Sequence, residues 1–258
     1  MKQTVKTIAA KKGSEKISMI TAYDAMFASF ADRAGADIVL VGDSVGNTVL
    51  GFKSTVSVTM DMMVHHTSAV SRGVENALVV ADVPFGVAHR KFDKMLAETA
   101  RLVQTAGADA VKIEGGKAMA KKISRLVSAG IAVMAHIGLE PQQVLKLGGY
   151  RKFGKTDAER MRLLDDAKAL QDAGAFSIVL EMTDADTAAA ITESLSIPTI
   201  GIGSGAGCDG QVLVCADILG LTRNPPKFAK QYARLDSEIL EAYRAYIGDV
   251  KNLRYPEQ

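Results

Sequence analysis

A short pattern recurs four times in this chain: an Ala-Gly pair ending a helix, an apolar strand, and a polar side chain where the strand stops. The copies run from Ala34-Gly35 to Asp43, Ala106-Gly107 to Glu114, Ala129-Gly130 to His136 and Ala173-Gly174 to Glu181. Glycine suits a helix end because it enters the left-handed conformation without a Cβ penalty. The strands that follow (DIVLVGD, DAVKIEGG, IAVMAHIG, FSIVLEM) are near-continuous apolar runs. Parallel strands covered on both faces have that composition. Repeated, the unit builds an α/β sheet, and such sheets bind ligands at the carboxyl ends of their strands. The polar residues stand at those ends.

Eight strands are expected, at 17–22, 37–42, 77–83, 110–113, 132–136, 177–180, 199–203 and 212–216. Helical spacing separates most of them. Phe92, Met95, Leu96, Thr99, Leu102, Val103 and Ala106 form one apolar stripe. Asp24 is placed to cap a helix, 60–72 reads as another, and Thr156 with Glu159 forms a capping box. Eight strands with helices between them favour a closed (β/α)8 TIM barrel over an open sheet. No Pro/Ser/Gly linker divides residues 1–258, so one domain is expected. A short N-terminal helix with Val5 and Ile8 would cover its bottom, and Leu235, Ile239, Leu240, Tyr243 and Ile247 mark a C-terminal helical extension. Two segments fit less well: 201–210 has no room for a full helix, and 138–155 is a long loop.

The totals exclude several functions. The 258 residues are 48% apolar, enough for a large core, and 31 basic against 29 acidic residues give a net charge of +2. No concentrated basic face or aromatic set favours nucleic acid. No apolar run approaches the roughly 20 residues that span a bilayer, and the first residues lack the apolar centre of a signal peptide. Two cysteines, Cys208 and Cys215, fit no metal or redox spacing. A cytoplasmic location is expected.

Asp43, Asp82, Lys112, Glu114, His136 and Glu181 belong to five neighbouring strands. Strands in a sheet lie about 4.8 Å apart, so these side chains converge on one barrel mouth. Lys112 and Glu114 are two apart and share a face, opposite Val111 and Ile113. Grouped carboxylates repel unless protonated or neutralised by a cation. Oxygen ligands with no cysteine and little histidine suit Mg2+. A lone acid at a strand end pairs with an arginine or a helix N-terminus as often as not; four gathered on one edge favour a site. His136 is of intermediate weight. His65 and His66 lack metal-binding spacing and point to packing or a subunit contact, and His89 lies in a loop from which it could reach the mouth, though nothing demands it. The glycines of 201–207 fit a tight turn or a backbone-lined pocket better than a dinucleotide fingerprint, because no convincing helix follows.

The stretches Gly42-Asp43-Ser44-Val45-Gly46, Ala81-Asp82-Val83-Pro84-Phe85-Gly86, Val111-Lys112-Ile113-Glu114-Gly115-Gly116, Ala135-His136-Ile137-Gly138-Leu139, Ser196 through Gly203 and Cys208 through Val214 stand in order along the chain. Together they resemble the ketopantoate hydroxymethyltransferase family. The resemblance implies a barrel of the phosphoenolpyruvate/pyruvate superfamily type. It implies transfer of a one-carbon unit from 5,10-methylenetetrahydrofolate to 3-methyl-2-oxobutanoate, giving 2-dehydropantoate for pantothenate and coenzyme A. It also implies Mg2+ on Asp43, Asp82 and Glu114, and oxo-acid contacts from Asp43, Ser44, Asp82 and Lys112. Glu181 would be the proton acceptor, with His136 a further substrate-site residue, in a cytoplasmic homodecamer built as a pentamer of dimers. The chain departs from the family pattern at Lys53, Ala135, Met182-Thr183-Asp184 and Ser204.

The alternative is another Mg2+-dependent 2-oxo acid enzyme of the same superfamily, such as a C–C lyase that needs no folate. Those lyases often carry a reactive mouth cysteine, a context that neither Cys208 nor Cys215 has. A degenerate, non-catalytic barrel would lack ligands or base, and all are present. Gly148 to Gly154, with two hinge glycines and two cations, suits a lid and suits a surface loop equally.

Overall fold

The apolar runs fold as eight parallel strands that pair in chain order and close into a barrel. They are β1 (Ile17–Thr21), β2 (Ile38–Val41), β3 (Leu78–Asp82), β4 (Ala110–Glu114), β5 (Val133–Gly138), β6 (Ser177–Glu181), β7 (Thr199–Ile202) and β8 (Gly210–Leu213). The helices are α1 (Val5–Ala10), α2 (Ala25–Arg33), α3 (Val45–Thr48), α4 (Met60–Gly73), α5 (Phe92–Gln104), α6 (Ala120–Ser128), α7 (Val144–Leu147), α8 (Asp157–Asp172), α9 (Ala185–Ser194), α10 (Cys215–Ile218) and α11 (Leu235–Lys251). This computed structural model describes residues 2–256. Two compact units meet in the chain between Val212 and Leu213.

In the first unit, β2 to β5 are buried along their whole length, as their apolar composition requires. β1 and β8 instead expose Ser18 and Gln211 between buried neighbours. The β7–β8 connection contains no helix, as its glycines led us to expect. Ile17 N donates to Asp209 O at 3.0 Å across the closing seam.

Register decides what the barrel contains. Leu40 pairs with Val80, Asp82 with Lys112, Glu114 with His136, and Gly138 with Glu181. Every second residue shares a face, so each strand carries an inward set. The lower members are apolar: Ile38 and Leu40, Leu78 and Val80, Ala110, Met134, Val179 and Ile200 belong to one buried cluster. The upper members on the same face are Asp82, Lys112, Glu114, His136 and Glu181.

The bottom of that cluster is closed by α1, whose Ile8 is fully buried within it. Burying such a side chain contributes roughly 1.5–3 kcal/mol. Three lysines around α1 then pair with aspartates just ahead of strands: Lys2 with Asp109, Lys11 with Asp37, and Lys12 with Asp209. The N-terminal segment is therefore a lid on the barrel bottom, as its sequence suggested.

Two local expectations are corrected. The eighth strand begins at Gly210, and Cys215–Ile218 is helical rather than extended. Thr156 caps α8 through Glu159 N, but the Glu159 carboxylate bypasses the cap to accept from Gly154 N (3.0 Å), Lys155 N (3.2 Å) and Arg151 Nη1 (2.8 Å). A nearby cation and two free amides outcompete the single cap amide. Asp24 does cap α2, accepting from Phe27 N at 2.8 Å.

In the second unit, Tyr232 N and Leu235 N return to Ile218 O and Leu219 O, tying the start of α11 to the end of α10. α11 buries none of its residues, and Ile239, Leu240, Tyr243 and Ile247 are exposed along it. Among the described residues no helix is long and apolar enough to cross a membrane.

Candidate active site

All six ionisable residues singled out in the sequence meet at the carboxyl end of the barrel. Asp82, Lys112, Glu114 and His136 are inward members of β3, β4 and β5, each at most 7% exposed. Asp43 follows β2 and is equally buried, and its backbone N–H donates to Asp82 Oδ2 at 3.0 Å. Glu181 ends β6 and is partly open to solvent.

Lys112 is the hub. Its Nζ lies 3.0 Å from Asp82 Oδ1 and 3.0 Å from His136 Nδ1. Burial alone would lower the pKa of this ammonium, but the charges of Asp82, Glu114 and Asp43 overcome that and raise it. An ammonium only donates, so His136 Nδ1 must accept and the ring hydrogen must sit on Nε2. That nitrogen is buried, has no hydrogen-bond partner among the described residues, and stands 3.4 Å from Glu181 Oε2. The lysine therefore fixes the tautomer that points N–H at the carboxylate of β6.

The acids outnumber the ammonium. Asp43 is pushed up to about 7, first by burial and then by the charge of Asp82, against the opposing pull of Lys112 and a bond from Gln142. Glu114 is raised well above its ordinary range, by burial and then by Asp43. Fully ionised, three buried carboxylates facing one ammonium leave two negative charges, the deficit a divalent cation fills. Among the described residues no three His, Cys, Asp or Glu side chains form a ready cage. The expected trio of Asp43, Asp82 and Glu114 is thus not a closed metal site. An ion that takes one or two carboxylates and keeps its water, as Mg2+ does, fits this donor set.

Several neighbours had no signal in the sequence beyond their type. Tyr23 OH bonds Ser44 Oγ at 2.8 Å and accepts from Thr21 Oγ1 at 3.0 Å, a hydroxyl chain ending on the residue after Asp43. Buried Ser204 accepts from Thr183 N (2.9 Å) and donates to Leu180 O (2.7 Å), clasping the backbone on either side of Glu181. Met182, between them, adopts φ +45°, a conformation uncommon for residues other than glycine. Two departures from the family pattern, Met182-Thr183-Asp184 and Ser204, therefore touch each other.

The 148–154 loop is tied at one end. Phe153 is buried, donates N–H to Met182 O at 2.8 Å and accepts from Asp184 N at 2.7 Å. Arg151 is engaged with Glu159, while Tyr150 is exposed over most of its surface; partial burial and then the charges of Glu181, Asp43 and Glu114 push the pKa of its hydroxyl up. His66 Nδ1 meets Tyr23 O at 2.7 Å, a packing role, and His89 is exposed in its loop. Gly203 to Asp209 forms a turn, not a nucleotide-binding helix start.

Comparison with known proteins gives this arrangement its context. The 3-methyl-2-oxobutanoate hydroxymethyltransferase of Carboxydothermus hydrogenoformans is 54% identical over 249 residues, 96% of this chain and 90% of that protein. Two solved structures share the fold at low identity. One is 2,3-dimethylmalate lyase, a PEP mutase/isocitrate lyase superfamily member (TM-score 0.62, 19% identity, 100% of this chain and 90% of that one). The other is a phosphonopyruvate hydrolase in complex with oxalate and Mg2+ (TM-score 0.62, 14% identity, 97% and 85%). The family model described as ketopantoate hydroxymethyltransferase matches residues 2–258, and the chain belongs to that family.

Proposed function

We propose that this chain transfers a hydroxymethyl group to 3-methyl-2-oxobutanoate, the reaction its relatives are named for, forming 2-dehydropantoate for pantothenate and coenzyme A synthesis. The donor is 5,10-methylenetetrahydrofolate, and the bound ion is Mg2+ held by Asp43, Asp82 and Glu114, directly or through water. The observation that carries this reading is a cation-deficient carboxylate cluster on β2–β4 sharing one barrel mouth with a separate carboxylate, Glu181, on β6.

When bound there, the ion acts as a Lewis acid toward the ketone oxygen of the oxo acid. Lys112 Nζ supplies a fixed positive charge for the substrate carboxylate or for that oxygen as it gains charge. Ser44 Oγ, held by Tyr23, orients the same end of the substrate. Glu181 Oε2 takes the proton from C3, and the C–H electron pair moves toward the ketone oxygen. His136 Nε2–H steadies Glu181 during that transfer. The carbon freed of its proton then attacks the one-carbon unit of the folate, opened at N10 to an N5 iminium, and the C=N electron pair moves to N5. Water replaces N5 on that carbon and supplies the hydroxyl, while the folate leaves as tetrahydrofolate.

A cytoplasmic homodecamer, a pentamer of dimers, belongs to the same proposal. The exposed apolar side chains of α11 support assembly.

Deuterium exchange at C3 of 3-methyl-2-oxobutanoate, run with Mg2+ and no folate, tests the first half. General-base catalysis contributes about 10²–10⁴-fold, so Glu181→Gln is expected to slow exchange by that factor while Mg2+-dependent binding of the oxo acid survives. Exchange at the parent rate would remove Glu181 as the base. Folate-dependent product tests the second half; glyoxylate released without folate would indicate a lyase instead.

A further inference from the structure

Gln142 sits on a one-turn 3-10 segment, Pro141–Gln143, just beyond β5, with no ionisable group to draw attention to it. It nevertheless touches three other strand ends. Its Nε2 donates to Asp43 Oδ2 at 2.8 Å and to Val83 O at 3.0 Å, and its backbone N–H donates to Glu114 Oε2 at 3.1 Å. Both hydrogens of the carboxamide are therefore used, one on a buried acid and one on the backbone after β3.

We propose that Gln142 is a positioning residue of the cation site, holding one oxygen of Asp43 and one of Glu114 so that the second oxygen of each is presented to a divalent ion. The proposal rests on the Mg2+ reading above. Gln142 engages Asp43 Oδ2 and Glu114 Oε2, while Glu114 Oε1 stands 3.9 Å from His136 Nδ1, beyond hydrogen-bond range. Carboxylates that ligate metals are commonly fixed in this way, by donors on the oxygen that does not bind. Gln142 can do this where a cation could not, because an amide donor satisfies a carboxylate without neutralising it. The site keeps its charge deficit and its shape together.

The two acids come from different strands, after β2 and at the end of β4. Without a bridge their spacing would depend on backbone fluctuations of separate loops. One residue bonded to both, and to Val83 between them in the sheet order, makes that spacing a property of a single turn. The neighbouring Gln143 has no such role, since its side chain turns away to Glu140.

The test is Mg2+ affinity by titration calorimetry on the full chain without substrates, comparing the parent with Gln142→Leu, Gln142→Ala and Gln143→Leu. Loss of such supporting bonds typically weakens metal binding about 10–100-fold. That weakening is expected for both Gln142 variants, with parent-like affinity for Gln143→Leu. Circular dichroism and melting in EDTA establish that each variant is folded. A folded Gln142→Leu protein that binds Mg2+ as tightly as the parent would overturn the role given to Gln142 and leave the Mg2+ reading standing. A parent that binds no Mg2+ would overturn both.

Discussion

His136 Nε2 and Glu181 Oε2 face each other at 3.4 Å across the β5–β6 boundary, and among the described residues no hydrogen bond engages that nitrogen. The orientation is imposed from behind, because Lys112 occupies Nδ1. A lysine on one strand thus sets which hydrogen the base on another strand encounters.

That relationship predicts the behaviour of His136→Phe, which keeps a ring and removes both nitrogens. Catalytic hydrogen bonds often tighten only when substrate is bound, and one to a charged group contributes about 1.5–3 kcal/mol, so C3 exchange should slow roughly ten- to hundredfold. An exchange rate equal to the parent's would mean that Glu181 needs no orienting partner.

Lys112→Met should act on folding as well as on chemistry. Removing one member of a buried ion pair typically costs about 3–5 kcal/mol, because the other charge is left uncompensated. The metal-free variant is expected to unfold at lower urea than the parent, with Mg2+ restoring part of the difference. Equal midpoints in EDTA would show that the acids do not depend on this ammonium.

Asp32 provides a test far from the mouth. It accepts from Glu75, Asn76 and Ala77 N–H groups ahead of β3. Burial alone would raise its carboxyl, but these donors outweigh burial and hold it below its ordinary range. A carboxyl depressed in the folded state binds fewer protons there than when unfolded, so its stabilisation is present above the unfolded value, about 4, and fades as pH falls below it. Asp32→Ala should cost about 1.5–3 kcal/mol at pH 7. In urea unfolding the gap between parent and variant should narrow below pH 4; a gap that widens in acid would contradict the assignment.

Gly138 closes β5 opposite Glu181 with φ +96°, and a Cβ there would strike the Glu181 carbonyl oxygen. Gly138→Ala therefore combines backbone strain with overpacking, each of order 1–3 kcal/mol. A destabilisation of about 2–5 kcal/mol is expected, measured as a lower urea midpoint. A neutral substitution would mean that β5 and β6 separate more easily than their register suggests.

Much of the architecture was legible because its causes are local. Apolar runs mark strands buried on both faces, Ala-Gly pairs mark where helices stop, and period-two alternation puts Lys112 and Glu114 on one face. The eighth strand starts two residues earlier than its apolar run, because Gly210 and Gln211 carry no apolar signal. Their pairing comes from Ile200 and Gly201.

The chain by itself determined that an acid-rich edge would form and which strands would contribute to it. Only the folded barrel decided how those groups are held. Gln142 reaches Asp43 across 99 positions, Tyr23 reaches Ser44 across 21, and Ser204 reaches back 21 to Thr183. Such partners are hydroxyls and amides whose alternatives in an extended chain are water and their own backbone. Closure of the barrel removes the water, and what remains within reach becomes the partner.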